Sequence, residues 1–150
     1  MRRATRQRGE RGSALVELTW LGILLLVPMI WIVLSVFEVQ RGAFGVSAAA
    51  RSAGRAFALA PDDDAGWHQA HAAAAVALAD QGVADTGWHL QITCGGLADC
   101  HTGGAVVTVR ITSSVVLPFI PDLLGGGATL GLSARHDVPI GQYQEPGVVP

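Results

Sequence analysis

Between Ser13 and Phe37 the chain carries one ionisable residue, Glu17, placed five residues after Gly12 in the run Arg11-Gly12-Ser13-Ala14-Leu15-Val16-Glu17. A carboxylate at the edge of so apolar a run either reaches back to water or finds a cation. Few other side chains have types and spacing that suggest chemistry. Cys94 and Cys100, the only cysteines, are separated by Gly-Gly-Leu-Ala-Asp. In an exported domain such a pair is expected to form a disulfide, contributing about 2 kcal/mol by closing a short loop. His68 and His71 are three apart, but His-Gln-Ala-His lacks the glutamate and spacing of H-E-x-x-H, and no third ligand is evident. Asp62-Asp63-Asp64 does not continue into a calcium-binding loop pattern. No G-x-S-x-G elbow, P-loop or dinucleotide fingerprint is present. Neither an enzyme nor a cofactor or metal site is expected.

The elements around Glu17 give it meaning. Leu18 to Phe37 is a run of 20 residues without a charge. As a helix it would span about 30 Å, the thickness of a bilayer's hydrocarbon core. A single transmembrane helix is therefore expected over 13–37. Residues 1–12 hold five arginines against Glu10, whereas the rest of the chain holds five arginines against eleven acids. Beside a membrane span, a basic head is a topology signal before it is a nucleic-acid contact. It predicts a cytoplasmic N-terminus in the cytoplasmic membrane, an extracytoplasmic remainder and no nucleic-acid partner.

An ordinary secretory signal does not fit. The apolar run is too long, and the nearby Ala58-Leu59-Ala60 lies more than twenty residues beyond Phe37 and precedes Pro61. Cleavage on the cytoplasmic side, before the apolar segment, would instead leave the span in the mature protein, and Gly12–Ser13 stands at that place.

The run Arg11 to Glu17, followed by the long apolar segment, resembles the processing site of type IV pilin-like precursors. More narrowly it is similar to that of TadE-like minor pilins (pseudopilins) of tight-adherence, Flp-type pilus systems. Where that family often has an aromatic residue after the glutamate, this chain has Leu18. The resemblance implies that a prepilin peptidase cuts after Gly12, making Ser13 the new N-terminus. Glu17 would then neutralise the α-amino group of a neighbouring subunit. That group has an unperturbed pKa of about 7.7–8.0 and is mostly protonated at neutral pH. Implied partners are the membrane, the peptidase, other pilins or pseudopilins and pilus-assembly platform proteins.

Past Phe37 the helix is expected to continue to about residue 60. Its small residues suit close packing, Phe37, Phe44, Ala48 and Phe57 are expected along one side, and Arg41, Arg51 and Arg55 are expected to be solvated. Pro28 would remove one helical hydrogen bond within the span. Pro61-Asp62-Asp63-Asp64 predicts a break and a helix start, with a second helix over Ala65–Gln81 ending at Gly82.

After Gly82 the hydrophobic period becomes two. Trp88, Leu90, Ile92 and Cys94 share one face of a first strand, and Val107, Val109 and Ile111 one face of a second over Ala105–Leu117. Leu130, Leu132 and Ala134 share one face of a third over Ala128–Val138. A small antiparallel sheet is expected, its apolar face covered by the 65–81 helix. The Leu117-Pro118-Phe119-Ile120-Pro121 connection, running on to three glycines, is expected to fold back onto the core, and it too resembles TadE-like proteins. The tail from Gly141 is expected to be flexible.

The expected fold is α+β. Its parts are a basic leader (1–12), the transmembrane helix (13–37), its extracytoplasmic extension (38–60), a small α+β domain (61–140) and a tail (141–150). The expected role is a structural and assembly subunit of a Flp-type pilus or related secretion machinery. The alternative is an unprocessed, single-pass, membrane-anchored binding domain of the cell envelope.

Overall fold

The computed structural model describes residues 10–83, 87–117 and 129–142, with side chains from Ala14 onward. Most of the basic leader (residues 1–9), the Pro- and Leu-rich connection (118–128) and nearly all of the tail (143–150) lie outside the described residues.

The chain is α+β. Helix α1 (Glu10–Ala58) runs without interruption for 49 residues through Pro28. Its first half has the bulky apolar side chains of a lipid-facing helix, and its second half the small ones of a helix that other elements approach closely. Ala60 N–H bonds the Phe57 carbonyl at 3.1 Å, tightening the last turn, and Pro61 then ends the helix.

Helix α2 (Asp63–Asp80) is capped at both ends. The Asp62 side chain accepts a hydrogen bond from Ala65 N at 2.8 Å, while Asp63 and Asp64 lie where the helix dipole favours anions. At the other end Val83 N–H bonds Leu78 O and Gly82 N–H bonds Ala79 O, each at 2.9 Å. This paired closure needs a left-handed residue, which Gly82 supplies at φ 68°.

Strands β1 (His89–Thr93), β2 (Val106–Val116) and β3 (Thr129–Pro139) form an antiparallel sheet in the order β1-β2-β3. Ile92 pairs with Val109, and Val109 with His136. The expected alternation holds on β2, where Val107, Val109 and Ile111 are completely buried. On β3, Leu132 and Ala134 pack against the core, whereas Leu130, predicted on the same face, stays 42% exposed.

Two expectations are corrected. The helix covering the sheet is α1, not the 65–81 helix; α2 packs chiefly on the other side of α1, giving the layer order α2, α1, sheet. The reason lies in side-chain size. A Cβ on Gly54 would sit 2.8 Å from Val138 Cγ2, and one on Gly42 would sit 2.6 Å from Val115 Cγ1 and Leu132 Cδ1, so only glycine lets α1 approach β2 and β3 this closely. On the α2 side, a Cβ on Gly66 would sit 2.9 Å from the Phe57 ring. Helix α1 is thus the central layer, between α2 and the sheet.

The phenylalanines also do not share a face. Phe57 is buried, but Phe37 and Phe44 are 62% and 69% exposed. The thirteen residues from Phe44 to Phe57 make about 3.6 turns, which returns on the opposite side of the helix. The buried stripe is instead Val46, Ala49, Ala50, Ala53 and Phe57, with Gly42, Gly45 and Gly54 also buried. It meets Ala70, Ala74 and Leu78 of α2, spaced four apart, and the inward face of β2.

Candidate assembly surface and the clasp behind it

Gly12 and Ser13 lie in the first turn of α1, and Glu17 follows about one turn later. Glu17 is exposed and makes no hydrogen bond or ion pair with the described residues. Thr19, the next polar side chain, is satisfied within the helix: its hydroxyl donates to Leu15 O at 2.8 Å. Around them the helix is bare. The most apolar 18-residue window of the stretch from Ala14 has a mean hydropathy of 2.5 and none of it is buried, so α1 is long and apolar enough to cross a membrane. Trp20, Ile23, Leu24, Val27 and Pro28 line a shallow apolar groove on its flank.

The cysteines form the expected bridge: Cys94 and Cys100 are joined at 2.03 Å. The residue after the bridge is one that sequence reasoning missed. His101 is buried, stacks on Phe57 at 4.9 Å between ring centres, and points its two nitrogens at two different helices. Nε2 lies 3.0 Å from the Phe57 carbonyl near the end of α1, and Nδ1 lies 2.6 Å from Asp63 Oδ1 at the start of α2. A carbonyl only accepts, so Nε2 donates, and one hydrogen is shared between Nδ1 and the carboxylate. The other Asp63 oxygen accepts from Cys100 N–H at 3.1 Å, and Asp99 Oδ1 from His101 N–H at 2.8 Å.

Asp63, Asp99 and His101 bring three possible ligand atoms within 4.8 Å. A 2.6 Å gap between Nδ1 and Oδ1 holds a hydrogen; two metal bonds of about 2.0–2.1 Å each would need the pair to separate. The arrangement is a clasp. It adds a second hydrogen bond to a carbonyl near the C-terminus of α1, keeps a carboxylate where the α2 dipole favours it, and ties both to the disulfide loop. No local pattern announces it, since 38 residues separate Asp63 from His101. The available signal was a histidine directly after a loop-stapling cysteine.

His68 and His71 are not brought together as ligands. Both rings pack on Trp67, His68 edge-on at 5.6 Å and His71 stacked at 5.4 Å, and His71 also meets Trp88 at 4.7 Å. On the outer face of the sheet, Thr108 Oγ1 and Arg135 Nε donate to Asp137 Oδ1 at 2.6 and 3.0 Å. The Thr108 hydroxyl first, and then the Arg135 guanidinium, hold the Asp137 carboxyl below its ordinary value of 3.8.

No protein-family model matches the chain, and neither the curated proteins nor the solved structures contain a match to it. The functional reading therefore rests on the residues and their geometry.

Proposed function

We propose that this protein is a minor pilin- or pseudopilin-like assembly subunit of a Flp-type (tight-adherence) pilus or related secretion machinery, held in the cytoplasmic membrane by the first half of α1. The observation that carries the reading is the division of labour along one helix. From Ala14 its first half is bare and apolar, with the Glu17 carboxylate at its edge and no partner for it among the described residues, and its second half is the central layer of a folded domain.

In this reading a prepilin peptidase cuts after Gly12. The Ser13 amine then lies about 6 Å along the helix axis from Glu17, at about 1.5 Å per residue. A neighbouring helix displaced by that amount sets its amine against this Glu17. The pair removes two charges from an environment where a carboxylate alone costs up to about 3 kcal/mol at the bilayer centre. Other pilins and the assembly platform are the partners this arrangement serves, with the N-terminus cytoplasmic and the domain extracytoplasmic.

The test is intact mass and N-terminal sequencing of the protein from native membranes. An N-terminus at Ser13 supports the reading; an intact Met1 in cells with an active prepilin peptidase overturns it. Glu17→Gln should leave processing intact and reduce entry into the assembled complex.

A second reading draws on a specific feature. Exposed Trp67 and His71 form an aromatic group with half-buried Trp88 on the folded domain, which suits an unprocessed anchored binding module of the envelope. Retention of Met1 would favour it.

A further inference from the structure

We propose that the free face of α1 outside the membrane docks an acidic helix of a different subunit, and not a second copy of this chain. This inference rests on the membrane orientation adopted above, but not on cleavage at Gly12.

Within the folded domain, α1 is covered on two sides, by the sheet and by α2. Among the described residues, what remains open is a narrow stripe with Phe37, Phe44, Arg51 and Arg55 exposed and Ala48 half-buried at its middle, spaced seven, four, three and four residues apart in the order Phe37, Phe44, Ala48, Arg51, Arg55. That is the spacing of a helix-packing seam. The two aromatic rings are 62% and 69% exposed, which nothing in the domain's own packing requires. Arg51 donates only to the Ser47 hydroxyl, at 2.8 Å, and Arg55 has no ionic partner among the described residues. The stripe therefore joins apolar contact area to two guanidiniums without a nearby acid among the described residues.

A second copy is the wrong occupant on charge grounds. Copies anchored in one membrane by the same helix run parallel. Because the sheet and α2 occupy the other sides of α1, two such helices meet along the domain only by the same stripe. In register, that sets Arg51 against Arg51 and Arg55 against Arg55, and a displacement of four residues sets Arg51 against Arg55, so like charges face across the seam in either case. A helix presenting apolar residues to Phe37, Phe44 and Ala48, and carboxylates to Arg51 and Arg55, satisfies the whole face. The planar guanidinium suits bidentate pairing with those carboxylates.

The experiment places a photo-crosslinking amino acid at Ala48 of the full chain in its native membrane and maps the adduct by mass spectrometry. Three backgrounds are compared: the unaltered chain, Arg51→Glu with Arg55→Glu, and Arg51→Lys with Arg55→Lys. The expected adduct joins a different protein, at a helical segment carrying at least two acids. Its yield should fall at least fivefold on charge reversal and persist in the lysine pair. Arginine in place of those acids should restore it to the reversed variant. Formation of the Cys94–Cys100 bridge, read by mass in each variant, verifies that the domain has folded. An adduct of twice the chain's mass, an adduct to a segment without acids, an adduct insensitive to charge reversal, or no adduct at all would each overturn the proposal. The N-terminus of the same sample reports cleavage separately, so failure of docking and failure of processing are distinguishable.

Discussion

Replacing Asp63 with alanine tests whether the buried histidine clasp, and not the helix dipole alone, fixes the corner between α1 and α2. Asp64 provides the control, because both aspartates lie in the first turn of α2 and each supplies about 0.3–1 kcal/mol of dipole stabilisation. Only Asp63 also accepts from Cys100 N–H and shares a hydrogen with His101, leaving that buried ring unsatisfied once the carboxylate is gone. A buried polar group deprived of its partner costs about 1–3 kcal/mol. The Asp63 side chain is 38% exposed, so water replaces part of what is lost and the lower half of that range applies. For a folded domain of roughly 100 residues, an extra loss of about 1–2 kcal/mol lowers the midpoint by roughly 5–15 °C. The assay is thermal unfolding of the purified full chain in detergent, followed by near-ultraviolet circular dichroism. Asp63→Ala should melt well below Asp64→Ala, with Asp63→Asn between them because its side-chain carbonyl still accepts. Equal melting of the two alanine variants, within about 2 °C, would refute the clasp and leave only the dipole contribution.

Other outcomes follow from the same geometry. Gly54→Leu should destabilise the domain by up to about 2 kcal/mol in the same melt, because overpacking at about 1–3 kcal/mol outweighs the better helix propensity of about 0.8 kcal/mol. Gly22→Ala should not lower that melt, since nothing lies within 4 Å of the added methyl and alanine is the better helix former. Replacing Cys94 and Cys100 together by alanine should cost about 2 kcal/mol, read as a lower unfolding midpoint than the wild-type chain shows without reductant. The Asp137 carboxyl should titrate below 3.8 by nuclear magnetic resonance, and Thr108→Val should raise its midpoint. A value depressed by folding means that its contribution to stability is present above the unfolded aspartate value and is lost as pH falls through the folded one.

Much of this architecture is legible residue by residue. Twenty uncharged residues from Leu18 to Phe37 specify a membrane-length helix, because no soluble surface tolerates such a run on every side. Pro61 and the aspartates after it mark the corner, and Gly82 marks the end of α2, through backbone preferences that act locally. The alternation at Val107, Val109 and Ile111 specifies an inward face, since side chains on a strand repeat every two residues. The cysteine pair follows from its number and close spacing.

The elements, their ends and their apolar faces are set by interactions within a few residues. Which face meets which was decided only in three dimensions. Phe44 and Phe57 look alike in the chain, yet one faces outward and the other lies under His101, because glycine and alanine, not the largest side chains, determine where α1 can be approached. The same short-range contact inserted α1 between α2 and the sheet, where local pattern had paired α2 with the strands. The clasp joins residues from three separate parts of the chain, and a hydrogen shared across 2.6 Å exists only once packing has brought those parts together.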